Sequence, residues 1–147
     1  MSAYDELQRL HAEIGTRLDE LEALAARPEP SMQALSTVRL ALTRASRART
    51  MLLERLYPDL IARAGDQGRA DIEALRAGAQ HDRFASTTHI SSWTIREITT
   101  RWDEYRDASH AMRAAMRERI GREVALVYPL LADADGPDTE VGTIHAR

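Results

Sequence analysis

Apolar residues recur at helical spacing along almost the whole chain, and this pattern decides the fold class. Leu7, Leu10, Ile14, Leu18 and Leu21 are three or four positions apart, which lines them along one face of a first helix. Leu35, Val38, Leu42, Ala45, Leu52 and Leu56 carry a second helix in the same way. Ile72, Leu75, Ala79 and Phe84 carry a third, running from about Arg69 towards Ile90. Tyr105, Met112, Met116, Ile120, Val124, Val127 and Leu131 carry the last. No segment alternates with period two between turn signals, so strands have no support. The chain is expected to be all-α.

Breakers divide these stripes. Arg27-Pro28-Glu29-Pro30 interrupts the first, and Ser31 stands where the next N-cap should be. Pro58 should bend or tighten the second helix, and Gly65-Asp66-Gln67-Gly68 should end it. Thr94-Ile95-Arg96-Glu97 has the form of a capping box, so helix is expected to restart there after a break near Trp93. Trp93 and Trp102 flank that restart as large apolar plugs. Beyond Asp133 the chain holds two glycines, a proline and several acids. The expected division is a domain over 1–133 and a flexible acidic tail over 134–147.

Composition removes several functional classes. A chain of 147 residues has one compact domain as its default. It has no cysteine, which excludes disulfides, zinc–thiolate sites, iron–sulfur clusters and a cysteine nucleophile. It has no lysine either, so phosphate-loop and Schiff-base lysines are excluded. The net charge of −3 does not suit nucleic acid or an acidic membrane as partner. No apolar run approaches the roughly 18 residues of a membrane helix. The acidic start Met-Ser-Ala-Tyr-Asp-Glu lacks the regions of a signal peptide, which favours the cytoplasm. No Gly-x-Ser-x-Gly, His-Glu-x-x-His, phosphate-loop or Gly-x-Gly-x-x-Gly motif occurs, so no catalytic residue is nominated and a non-enzyme is expected.

One internal similarity organises the rest. Leu56-Tyr57-Pro58-Asp59-Leu60 is echoed by Val127-Tyr128-Pro129-Leu130-Leu131, late in the second and last helices, and glycines follow at equal offsets, Gly65 and Gly136. Such a repeat describes two helical hairpins, and two hairpins that each bury one face make a four-helix bundle. With Leu10-His11-Ala12-Glu13-Ile14 on the first helix and the tryptophan-rich Trp93-Thr94-Ile95-Arg96-Glu97-Ile98 with Trp102, the chain resembles the hemerythrin-like, HHE cation-binding family over about residues 4–133. The resemblance implies an up-down four-helix bundle and, in the family, a non-haem di-iron centre held by histidines and His-x-x-x-Glu pairs.

The ligand positions that the resemblance implies are mostly replaced here. His11 matches the first-helix ligand. Counting back from Pro58 gives Leu52 and Ala48, and from Pro129 gives Glu123 and Arg119. His81 stands at a third-helix ligand position. These six residues form the expected former metal pocket. The metal set would be at most His11, His81 and Glu123, and no cofactor is favoured. Arg119 and Glu123, four apart, are either a surface ion pair or a buried pair whose guanidinium replaces the metal's charge. His11 otherwise reads as a core histidine with a hydrogen-bond partner, His81 and His89, eight apart, read as exposed or capping residues, and His110 and His145 carry no constellation. Arg39, Arg44, Arg47, Arg49 and Arg55 oppose Glu54 alone on the second helix. That face is expected to be solvated, with Arg44, Arg47 and Arg49 as a possible patch for an anion or an acidic partner. The expected function is a metal-free binding, regulatory or signalling module with an unidentified protein partner and a possible homodimer. The alternative is a non-haem iron protein that binds or senses oxygen or another small oxidant.

Overall fold

The computed structural model describes residues 2–133. Gly136, His145 and the tail over 134–147 lie outside the described residues. The chain is all-helical, with no strand among the described residues. Helix α1 spans Ala3–Ala25, α2 Met32–Ser92, α3 Ile95–Thr100 and α4 Trp102–Leu126. A further helical stretch over 128–133 follows α4 directly. None of these helices is long and apolar enough to cross a membrane.

Local chemistry accounts for the breaks. The Ser2 hydroxyl accepts from the Asp5 N–H and opens α1. Ser31 caps α2 by position only, without a side-chain bond. Pro58 lies on an exposed face inside α2, and the helix continues past it. The reversal comes at Gly65, where φ is 70° and ψ −175°, a combination open essentially to glycine alone. Gly65 divides α2 into two arms that lie side by side. Arg83 of the second arm meets Glu54 of the first at 3.4 Å, and Arg76 sits over the Tyr57 ring. The second arm is helical immediately after Gly65, earlier than the Arg69 expected from the sequence. The Thr94 hydroxyl accepts from the Glu97 N–H, as its capping-box spelling requires. Helix then breaks a second time at Arg101, so α3 is a separate short element.

Replacing Gly65 by alanine should therefore lower stability by about 1–3 kcal/mol, although nothing lies within 4 Å of the added Cβ. Gly15→Ala, inside α1 with equally open surroundings, should raise stability by about 0.5–1 kcal/mol. Urea midpoints of opposite sign check both; two shifts of the same sign would contradict the reversal at Gly65.

The interior contains two apolar clusters. One gathers Ile14, Leu18 and Leu21 with Leu35, Leu42, Trp93, Ile98 and Tyr105. The other gathers Leu7 and Leu10 with Leu53, Tyr57, Leu60, Ile72, Leu75 and Val127. The first two stripes read from the sequence are buried in these clusters, apart from the half-buried Leu56. The later stripes fit less well. Phe84 is 72% exposed, and Ile90 and Val124 also face outward, so the inner face of the second arm is narrower than its apolar content suggests. Trp93 is buried against the Tyr105 ring, and the Trp102 indole stacks on Tyr105 and donates to the Arg27 carbonyl at 3.1 Å. That bond ties the Arg27–Pro30 connection to the start of α4.

Candidate functional site: a buried polar layer

Between the two apolar clusters lies a layer of polar side chains. Each helix stripe contributes to it at the point where the stripe changes character. On α1, His11 sits between Leu10 and Ile14. On the first arm of α2, Arg49 sits between Ala45 and Leu52. On α4, Arg119 and Glu123 are a helical turn apart. As whole residues, His11 is 7% exposed, Arg49 6%, Arg119 2% and Glu123 0%.

Glu123 is the hub. Its Oε1 accepts from His11 Nε2 at 2.7 Å, and its Oε2 accepts from Arg119 Nε at 3.0 Å. The Arg49 guanidinium stands 3.5 Å from Oε1, an ion pair without hydrogen-bond geometry. His11 Nδ1 lies 2.6 Å from the Tyr128 hydroxyl. A neutral imidazole satisfies both contacts, with Nε2–H donating to Glu123 and the Tyr128 O–H donating to Nδ1. Arg119 spends its remaining donors on Asp82 Oδ2 at 3.1 Å, the Tyr57 hydroxyl at 3.2 Å and the Leu75 carbonyl at 2.9 Å. Gly78 leaves room for this fan, since a Cβ there would stand 3.3 Å from Arg119 Nη1.

The electrostatics follow from that geometry. Burial alone would raise the Glu123 pKa, but the His11 hydrogen bond and the neighbouring positive charges, Arg49 foremost, hold it below the usual carboxylate value. Glu123 is therefore an anion inside the protein. Burial pushes Tyr57 up, and pushes Tyr128 up to about 12 with help from Tyr4 and Glu123, so both hydroxyls keep their protons.

The placement of the residues nominated from the sequence is mixed. His11, Leu52, Arg119 and Glu123 are buried, and the Arg119–Glu123 pair is internal. Ala48 is exposed, and the inward position is Arg49. The count from Pro58 places Leu52 correctly, and the miss is confined to Ala48: the inward residue one turn earlier lies three positions before Leu52 and not four. His81 is exposed and stands apart, while its neighbour Asp82 reaches Arg119. The basic patch separates in the same way: Arg44 and Arg47 are exposed, Arg49 is internal, and Arg39 donates to the Trp93 carbonyl at 2.7 Å.

Asp82, Tyr57 and Tyr128 are the members that sequence reasoning missed as site residues; Arg49 was nominated for a solvated anion patch and not for the interior. A signal existed for the two tyrosines and for the inward placement of Arg49. The second stripe has one gap, between Ala45 and Leu52, and Arg49 fills it in register. The two tyrosines are the repeated Tyr-Pro pair, and each directs its hydroxyl into the layer from a different side. Asp82 had no comparable mark. No group of three or more histidine, aspartate or glutamate side chains that could hold a metal ion occurs among the described residues. Comparison with protein-family models, with curated proteins and with solved structures found no match.

Proposed function

We propose that the chain is a hemerythrin-like, up-down four-helix bundle whose interior is bridged by a guanidinium–carboxylate network in place of a di-iron centre, and that it works as a non-enzymatic binding, regulatory or signalling module. One observation carries this reading: both oxygens of Glu123 and both ring nitrogens of His11 are engaged by protein groups, and the groups crowding Glu123 are cations. A ligand set of that kind does not fit a pair of metal ions. Its lone pairs are already committed, and Arg49 and Arg119 would repel an incoming cation without being able to deprotonate. The two arms of α2, with α1 and α4, supply the helices that such a bundle needs, and the repeated Tyr-Pro endings supply the hairpin symmetry. The layer pairs its polar groups with one another, and the one hydroxyl that donates to His11, that of Tyr128, has its pKa pushed up to about 12 and keeps its proton, which supports a binding role over a catalytic one.

The test is metal content. Protein purified with added ferrous iron and counted by mass spectrometry should contain far less than one iron per chain and show no oxo-bridge absorption. Near-stoichiometric iron with such a band would replace this reading by that of an oxygen- or oxidant-sensing iron protein.

A further inference from the structure

We propose that Arg49, Arg119 and Tyr57 form a binding site for a single small monovalent anion of halide size; this rests on the metal-free reading above and names the ligand of that same layer. A cavity opens between the two arms of α2 and α4, lined among others by Arg49, Tyr57 and Arg119, with the half-buried Thr50 and Glu54 also on its wall. It offers about 10 Å³ to the centre of a water-sized particle. That is about the room of one water, so the cavity takes a single small particle, and a chloride needs its half-buried wall to give slightly.

The chemistry of the wall favours an acceptor. Arg49 is buried; its Nε stands 3.5 Å from Glu123 Oε1 without hydrogen-bond geometry, and its Nη1 makes no hydrogen bond among the described residues. A buried guanidinium with idle donors is costly and calls for an acceptor. The Tyr57 oxygen accepts from Arg119 Nη2, which leaves its own O–H free to donate. Within this layer two guanidinium groups, Arg49 and Arg119, are internal; Glu123 is the buried carboxylate between them, and Asp82, the second carboxylate on Arg119, is 40% exposed. Glu54 is the one carboxylate on the wall. It leans away to Arg83 at 3.4 Å, and its charge helps to keep multivalent anions out. A monovalent anion accepts from Arg49 and Tyr57 alike and carries no proton that needs a further acceptor.

Chloride-35 line broadening on the full chain tests this, in sodium gluconate at fixed ionic strength with added sodium chloride. The wild type should broaden the line saturably, bromide should displace the effect, and sulfate should not. Arg49→Met should weaken binding by about tenfold or more. Tyr57→Phe, which keeps packing and charge, should weaken it by about threefold to tenfold. Arg44→Ala, at an exposed arginine of the same helix, should leave it unchanged. Absence of saturable broadening in the wild type would overturn the site, as would displacement by sulfate or loss of the signal in Arg44→Ala alone. Iron is counted on the same sample. Metal-free protein without a chloride signal removes the anion site only, whereas iron-loaded protein removes the metal-free reading as well.

Discussion

Glu123→Gln should cost about 3–5 kcal/mol of stability, because it removes the one fully buried carboxylate among the described residues while the two guanidinium groups paired with it, Arg49 and Arg119, keep their charge. For a chain of this size that loss corresponds to a fall in Tm of roughly 10 °C or more. Glutamine keeps the shape and can still accept from Arg119, so the change isolates the charge. Glu118→Gln, on the exposed face of the same helix, should stay within about 0.5 kcal/mol of wild type. The difference between wild type and Glu123→Gln should also depend on pH in one direction. The folded-state pKa of Glu123 is depressed, so its contribution is fully present above the ordinary carboxylate value and is lost as pH falls through the lower folded value. Urea unfolding at a series of pH values should therefore show the two curves far apart at neutral pH and converging in acid, below about 4.5. A constant gap down to strongly acid pH would mean that Glu123 is not held as an anion.

How far the sequence disclosed this layer depends on what each position does. The first two apolar stripes are legible because burial of leucine and isoleucine at three- and four-residue spacing is what drives those helices together, and the same spacing that finds Leu7 and Ile14 brackets His11. The restart at Thr94 is legible because a cap is a local interaction between residues three apart. The Gly65 reversal is legible because only glycine tolerates that backbone. Positions set by tertiary geometry are not. Ala48 and Arg49 are both within one turn of Leu52, so the count from Pro58 does not choose between them, and only the register of the stripe from Ala45 to Leu52 does. Whether His81 or Asp82 faces inward is decided by Arg119, which is far away in sequence. Phe84 looked like core because apolar content was read as burial, but the second arm spends part of its inner face on Gly78 and Asp82, which make room and a partner for a guanidinium.

Replacing the whole layer by apolar groups of similar volume should restore what the single charge removal loses. The combination is His11→Leu, Arg49→Met, Arg119→Met and Glu123→Leu, with Tyr57→Phe and Tyr128→Phe so that no hydroxyl is left without its partner. Buried ion pairs give back in mutual attraction little more than their desolvation costs, so exchanging an entire network for hydrocarbon is commonly neutral or stabilising by about 1–4 kcal/mol. The variant should therefore be at least as stable as wild type at neutral pH, several kcal/mol above Glu123→Gln, and should lose the acid-dependent part of the wild-type curve. Its two apolar clusters would then fuse into one across the former gap. If the combined variant instead unfolds as readily as Glu123→Gln, the layer contributes net stability and its persistence needs no further explanation. If it is stable, packing alone does not account for two arginines in the middle of this protein. Their retention then points to use, and the idle donors of Arg49 are where that use is to be sought.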